Sequence, residues 1–212
     1  LVDALSDIFE HGAGRPEWSE GIICLVYKGK GLPRDRLSSY RPITLLNTDI
    51  RLVGRVISDR LQEPLDFLID PAQTAFIKGR WIGDNILSRQ ALQEYLDASV
   101  DTDDPQSGCL IFLDITKAYD RVDRGWLMRC AAALGLPASM CKWMERLMEG
   151  TTARVAINGF LTPPLRVDNG LPQGGPAAPL FWVLQMEPFT AALRAKQRSG
   201  KLRTPTMRDG QP

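Results

Sequence analysis

Residues 109–123 read "CLIFLDITKAYDRVD". Five apolar residues, Cys109–Leu113, follow Gly108 and run straight into Asp114. A short apolar run bounded by glycine is the pattern of a buried strand. It predicts a rigid element that aims a carboxylate into a cleft. A hard cation such as Mg²⁺ prefers carboxylate oxygen and commonly takes one or two carboxylates together with substrate phosphates. Asp114 therefore has two readings, a metal ligand or a cap for the turn that follows. Asp120 lies further along the same stretch. It reads first as a cap or ion-pair partner for the segment entering a helix near Arg124, and second as a further ligand.

Outward from this stretch, strand-like and helix-like segments interleave without a regular βαβ rhythm, which predicts an α+β fold. Residues 1–11 suit a short helix. Ile22–Tyr27 reads as a strand that runs into a Lys- and Gly-rich turn. "SSYRPITLLN" (38–47) is extended, because Pro42 disfavours helix at the residue before it. Ile50, Val53, Val56, Ile57 and Leu61 recur at helical spacing. Asn47 or Thr48 caps that helix, and Pro64 ends or kinks it. A loop and a helix near Ile86–Leu96 follow, then a polar connection, "DASVDTDDPQSG" (97–108). Helices are expected over 124–134 and 138–149, with Gly135 and Gly150 where C-terminal caps belong. "TARVAINGFLTPPLRVDNG" (152–170) alternates and carries Asn158-Gly159, a hairpin signal. A Gly/Pro loop then leads into a helix whose first turn tolerates Pro179.

The 212 residues suit one large domain, or one domain with a lobe. Apolar residues make up 44% and charged residues 24%, so a packed core is expected. The net charge of +1 is uninformative, but its distribution is not. Between Lys28 and Arg80 there are ten basic and six acidic residues, a local excess of four positive charges. A basic lobe suits either a polyanion or a solvated surface. The four cysteines include no C-x-x-C pair and there is one histidine, which speaks against a zinc site. Cys24 and Cys109 lie in apolar runs and read as buried small hydrophobes. The sequence opens without a signal peptide, and its apolar runs fall short of the ~20 residues that span a bilayer. On this reading the protein is intracellular, in nucleus or cytoplasm, and without a membrane partner. An opening Leu1 and an uncapped end, "RTPTMRDGQP", read as a fragment.

Two further constellations bear on chemistry. In "NGLPQGGPAAPLFW" (169–182), Gly170, Gly174 and Gly175 permit left-handed backbone or close approach to a ligand. Gln173 supplies both donor and acceptors, and the helix behind offers free N–H groups. In "SSYRPITLLNTDIR" (38–51), Arg41 lies in the extended segment and Arg51 in the first turn of a helix. The helix dipole disfavours a cation there, which hints at another use for Arg51.

"SYRPITLLN" (39–47), "QTAFIKGRWIGDNIL" (73–87), "IFLDITKAYDRVD" (111–123) and "LPQGGPAAPLFW" (171–182) occur in this order. In that order and spacing the chain resembles the reverse transcriptases, and most closely those of LINE-like, non-LTR retrotransposons, over about residues 18–195. The resemblance implies a right-hand polymerase fold. Residues 1–17 would be a helical lead-in and 18–212 the reverse transcriptase domain, with fingers about 18–105 and a partial palm about 106–200. Asp114 matches the first catalytic aspartate, which binds two Mg²⁺ ions, and the Ile115 backbone would be a further ligand to metal or triphosphate. Tyr119 matches the aromatic gate that excludes a 2′-hydroxyl, where members often carry Phe. Gln173 and Gly174 match the loop that contacts the incoming nucleotide and the template base. Arg41 and Arg51 match residues that hold the triphosphate, and Lys78 and Arg80 fall in a loop near the template. The implied partners are an RNA template, a DNA primer and deoxynucleoside triphosphates.

The pattern also breaks. The family's second carboxylate pair sits in an aromatic-x-Asp-Asp turn, and the sequence contains none. Asp103-Asp104 precedes the first motif, beside Pro105, with no strand before it. The chain is therefore expected to be truncated before the second Asp pair and inactive alone. The alternative reading is a polymerase-derived module that binds nucleic acid without catalysis.

Overall fold

A computed structural model describes residues 2–12, 16–99 and 108–203. Asp103-Asp104, most of the polar connection and the last nine residues lie outside the described residues. The fold is α+β. In chain order its elements are α1 (Val2–His11), α2 (Pro16–Ser19), β1 (Glu20–Tyr27), β2 (Tyr40–Leu46), α3 (Thr48–Leu68) and α4 (Ile82–Ser99). There follow α5 (Arg124–Ala133), α6 (Ala138–Met148), β3 (Thr152–Ile157), β4 (Phe160–Leu161), β5 (Leu165–Arg166) and α7 (Ala178–Arg198).

The sheet runs β2-β1-β3-β4, with β5 also paired to β3. β1 and β2 are antiparallel, with Ile23 opposite Thr44 and Tyr27 opposite Tyr40. β1 and β3 are parallel, with Ile23 opposite Val155. The basic loop between β1 and β2 is folded by its own side chains. Lys28 Nζ donates to Ser38 O at 2.7 Å and Tyr40 Oη to Arg34 O at 2.8 Å, while the Arg34 guanidinium lies 4.9 Å from the Tyr27 ring. At the same end of the sheet, after the parallel strand β3, Asn158 and Gly159 both have positive φ, 50° and 85°, as a two-residue hairpin requires.

α3 follows its periodicity. Val53, Ile57, Leu61 and Leu65 form a buried stripe at steps of four, and Asn47 Oδ1 accepts from Asp49 N at 3.3 Å. Val56 lies beside this stripe and is exposed. The helix passes through Pro64 and ends at Leu68. Leu61 and Leu65, which flank Pro64 and have zero exposure, belong to one core cluster with residues of α5, α6 and α7. α1 docks on α6, with the Phe9 and Trp143 rings 5.0 Å apart and Arg146 donating to Phe9 O and Glu10 O.

The expected strand at Cys109–Leu113 is not formed. The run is without secondary structure, and Ile111, Phe112 and Leu113 are more than 70% exposed. A strand exists by virtue of its ladder, and the five strands present pair with one another. Among the described residues none pairs with this run, which lies beside α4 with the Arg89 guanidinium 5.8 Å from the Phe112 ring. Cys109 is accordingly exposed rather than buried, and Cys24 is half-buried in β1.

A partly buried polar cluster ties the loop after α3 to α7 and makes stability depend on pH. Asp70 accepts from Arg194 at 2.8 and 3.1 Å. That hydrogen bond holds its carboxyl below the ordinary value of 3.8. Glu187, on α7, accepts the Asp70 N–H at 3.2 Å, and burial pushes its carboxyl above the ordinary 4.5. The signs are opposite. The Asp70 contribution is present above pH 3.8 and is lost as pH falls through its depressed value. The Glu187 contribution is present below pH 4.5 and is lost as pH rises through its raised value. Glu187→Gln keeps an acceptor without the charge, so its stability relative to wild type should rise from pH 4.5 towards neutrality. Urea midpoints across that window measure this, and a flat difference would refute it.

Candidate active site

The loop from Asn169 to Pro176 is the joint of the molecule. Gly170 N donates to Val122 O at 2.8 Å and Leu171 N to Tyr119 O at 2.9 Å. Two residues on, Gln173 O accepts from Thr44 N at 2.7 Å, which ties the same loop to β2. The expected left-handed glycines are real, with φ of +83° at Gly170 and +116° at Gly174. The backbone each approaches is the protein's own. A Cβ on Gly170 would lie 2.9 Å from Asp120 O, and one on Gly174 2.8 Å from Thr44 O. Three motifs distant in sequence, β2, the 119–122 turn and the glycine loop, are thereby joined through main-chain contacts.

Tyr119 begins a single 3₁₀ turn, Tyr119–Arg121. Its ring stacks on Trp182 of α7, centroids 5.8 Å apart and planes 24° apart. Burial pushes its phenol above the ordinary value. Asp114 precedes this turn on an extended, exposed segment and makes no hydrogen bond or ion pair among the described residues. The reading of Asp114 as a turn cap is therefore not realised. Nor does Asp120 cap α5 or form an ion pair. Asp123 takes the cap, accepting from Trp126 N at 2.6 Å, because it stands immediately before the helix where an acceptor reaches the free N–H groups. Ile115 is exposed beside Asp114.

The cations divide into two kinds. Arg41 on β2, Arg51 on α3 and Lys78 are exposed, and their side chains have no partner among the described residues. Arg80 is the opposite case, with a side chain 14% exposed. It donates to the carbonyls of Asp66, Ile69, Asp70 and Gln73 at 2.7–3.0 Å. Arg80 thus holds the C-terminus of α3 and the loop after it. Arg124, which the sequence reading named only as a helix start, donates from Nε to Gly170 O at 3.0 Å and from Nη1 to Met148 O. A cation in the first turn of a helix opposes the dipole. That signal was applied to Arg51, and it would have found Arg124 as well.

The sequence matches the family described as reverse transcriptase (RNA-dependent DNA polymerase) over residues 28–203. The chain belongs to the reverse transcriptase family. It is 31% identical over 204 residues to a 149 kDa protein of transposon TX1 from Xenopus laevis, covering 96% of this chain and 15% of that protein. It is 26% identical to a probable RNA-directed DNA polymerase from transposon BS of Drosophila melanogaster, covering 84% of this chain and 18% of that one. The RNA-directed DNA polymerase of the mobile element jockey, also from Drosophila melanogaster, is 24% identical, with 86% and 19% covered. All three relatives belong to transposons or mobile elements, and two of them are named as RNA-directed DNA polymerases, one as probable. This reverse transcriptase chain spans less than a fifth of their length. Family members use divalent metal ions. Among the described residues no three His, Cys, Asp or Glu side chains converge as a metal site. Exposed Asp114 is one carboxylate, and a two-ion centre needs several. The described residues alone do not build that centre. Among them, too, no helix is long and apolar enough to cross a membrane.

Proposed function

We propose that this chain is the nucleotide-binding portion, fingers and first part of the palm, of an RNA-directed DNA polymerase from a non-LTR retrotransposon. The observation that carries the reading is the glycine loop, bonded at once to β2 through Thr44 and to the 119–122 turn. It links the strand bearing Arg41, the turn bearing Tyr119 and the residues Gln173 and Gly174. In this reading Arg41 and Arg51, both free cations, neutralise the triphosphate of a deoxynucleotide. Tyr119, held rigid by its stack on Trp182, packs beneath the sugar where a 2′-hydroxyl would collide. The Ile115 backbone, Gln173 and Gly174 touch the nucleotide and the template base, and Lys78 meets the phosphates of an RNA template paired to a DNA primer. Asp114 is the carboxylate offered to Mg²⁺, whose chemistry in the family is activation of the primer 3′-hydroxyl.

Because the described residues lack a complete metal centre, this chain alone should bind nucleotide and not extend a primer. Titration with a fluorescent deoxynucleoside triphosphate tests the first half. Arg41→Ala should weaken binding about tenfold, the loss of one charge-assisted contact, and should change affinity for an RNA–DNA hybrid much less. Equal losses for both would make Arg41 a generic backbone contact. They would favour the second reading, a nucleic-acid-binding module without nucleotide selection, to which the solitary carboxylate also points. Robust metal-dependent primer extension by the chain itself would overturn the second half.

A further inference from the structure

Between the sheet and the helices beneath it lies a cavity of about 330 Å³. Protein interiors are packed to crystal density, and voids larger than a water are few. Ligand sites begin at about this volume and share a pattern, an apolar lining broken by a small number of polar groups. This cavity has that pattern. Its apolar walls come from three strands and several helices, with Ile23 of β1, Leu46 of β2, Ala153 of β3, Ile50 of α3 and Phe181 of α7 among them.

The charged groups on the lining differ in how they are satisfied. Arg146 is committed to Glu149 and to the carbonyls of Phe9 and Glu10. Asp120 is exposed and so hydrated. Arg124 is only partly exposed and forms no ion pair among the described residues. A guanidinium has five N–H donors. Two of them serve Gly170 O and Met148 O, and the others have no partner among the described residues. Burial disfavours its charged form, and the Asp168 carboxylate, which is paired with Arg166 and not hydrogen-bonded to Arg124, offsets this only in part. A partly desolvated cation at the wall of an apolar cavity, with donors to spare, has room for a carboxylate of its own. It matches a planar carboxylate in geometry as well as charge.

We propose that this cavity is a binding site for a small aromatic carboxylate, its rings against the apolar walls and its carboxylate on the spare N–H groups of Arg124. The ligand would touch β1, β2, β3 and the start of α7 together, and would brace the junction between sheet and helices. Gln173, assigned above to the nucleotide, also lines this cavity, but the proposal rests on the cavity and Arg124 and not on that assignment.

The test is titration of the full chain with 2-naphthoate, followed by calorimetry and by the unfolding temperature. Saturable one-to-one binding and a rise in unfolding temperature are expected. The uncharged isostere 2-naphthamide should bind at least about tenfold more weakly, the worth of one charge-assisted contact. Arg124→Gln should remove that preference. Since Arg124 also holds two carbonyls, a second variant leaves it untouched. Ala153→Ile adds apolar volume on a central strand and should fold normally while losing naphthoate binding. Naphthamide binding as tightly as naphthoate, undiminished binding to Ala153→Ile, or no saturable binding to the folded chain would each overturn the proposal.

Discussion

Arg80→Ala is expected to destabilise the protein by about 3 kcal/mol, since a hydrogen bond to a charged group contributes roughly 1.5–3 kcal/mol net and these bonds act as a unit. For a chain of this size that lowers the unfolding temperature by about 6–12 °C. The last carbonyls of a helix have no partner within it. At the end of α3 the acceptors are Asp66 O and the O of the C-cap residue Ile69, and the same guanidinium reaches Asp70 O and Gln73 O. The ion pair with Asp66 adds little, because that carboxylate is 56% exposed. Planarity matters more than charge, so Arg80→Lys should recover less than half of the loss. Urea midpoints at unchanged m-value measure both. The same variants separate two roles. If Arg80 contacted the template, Arg80→Lys would keep stability and lose affinity for nucleic acid. We expect the reverse, with the folded variant binding an RNA–DNA hybrid as wild type does and Lys78→Ala reducing both the affinity and its salt dependence.

What was legible in the sequence was local. The strand at β1, the Asn47 cap, the Asn158-Gly159 turn and the periodicity of α3 each depend on chemistry within a few residues, and each is present as read. Cys109–Leu113 shows the limit. Its apolar pattern calls for a ladder partner, but no pattern creates one, and the run lies exposed instead. Asp120 was the acceptor read as a cap, and the position of the helix start gives that role to Asp123 instead. The role of Arg80 was opaque for a further reason, and Arg124 gave only its place in the first turn of a helix. Their partners are carbonyls, which carry no side-chain signature and are gathered only by tertiary structure. The glycine loop was read as left-handed backbone or close approach to a ligand; Gly170 and Gly174 are left-handed, and what they closely approach is Asp120 and Thr44. The family likeness located the residues. It did not say which of them the fold had already committed.

That commitment is sharpest at Gly170. Gly170→Ala should cost about 3 kcal/mol, of which the left-handed backbone accounts for roughly 1–2 and the clash for the rest. The three atoms nearest the added Cβ are Asp120 O at 2.9 Å, Asp120 Cα at 3.1 Å and Tyr119 O at 3.1 Å. All are main chain, so no rotamer change relieves them. Relief requires the loop to back away from the turn, which breaks Gly170 N to Val122 O, Leu171 N to Tyr119 O and the Arg124 bond to Gly170 O. Gly159→Ala is the control. Its φ of +85° is nearly the same as the +83° of Gly170, but nothing lies within 4 Å of its added Cβ. It should lose only the backbone part, about 1 kcal/mol. The variants should also differ in nucleotide binding at temperatures where both are folded. Gly159→Ala should keep the fluorescent triphosphate, because the hairpin turn is remote from the joint. Gly170→Ala should lose it, because Gln173 and Tyr119 are then no longer held by one loop. Equal destabilisation would mean that the close approach at Gly170 is slack. Equal nucleotide binding would mean that the joint, though structural, does not set the site.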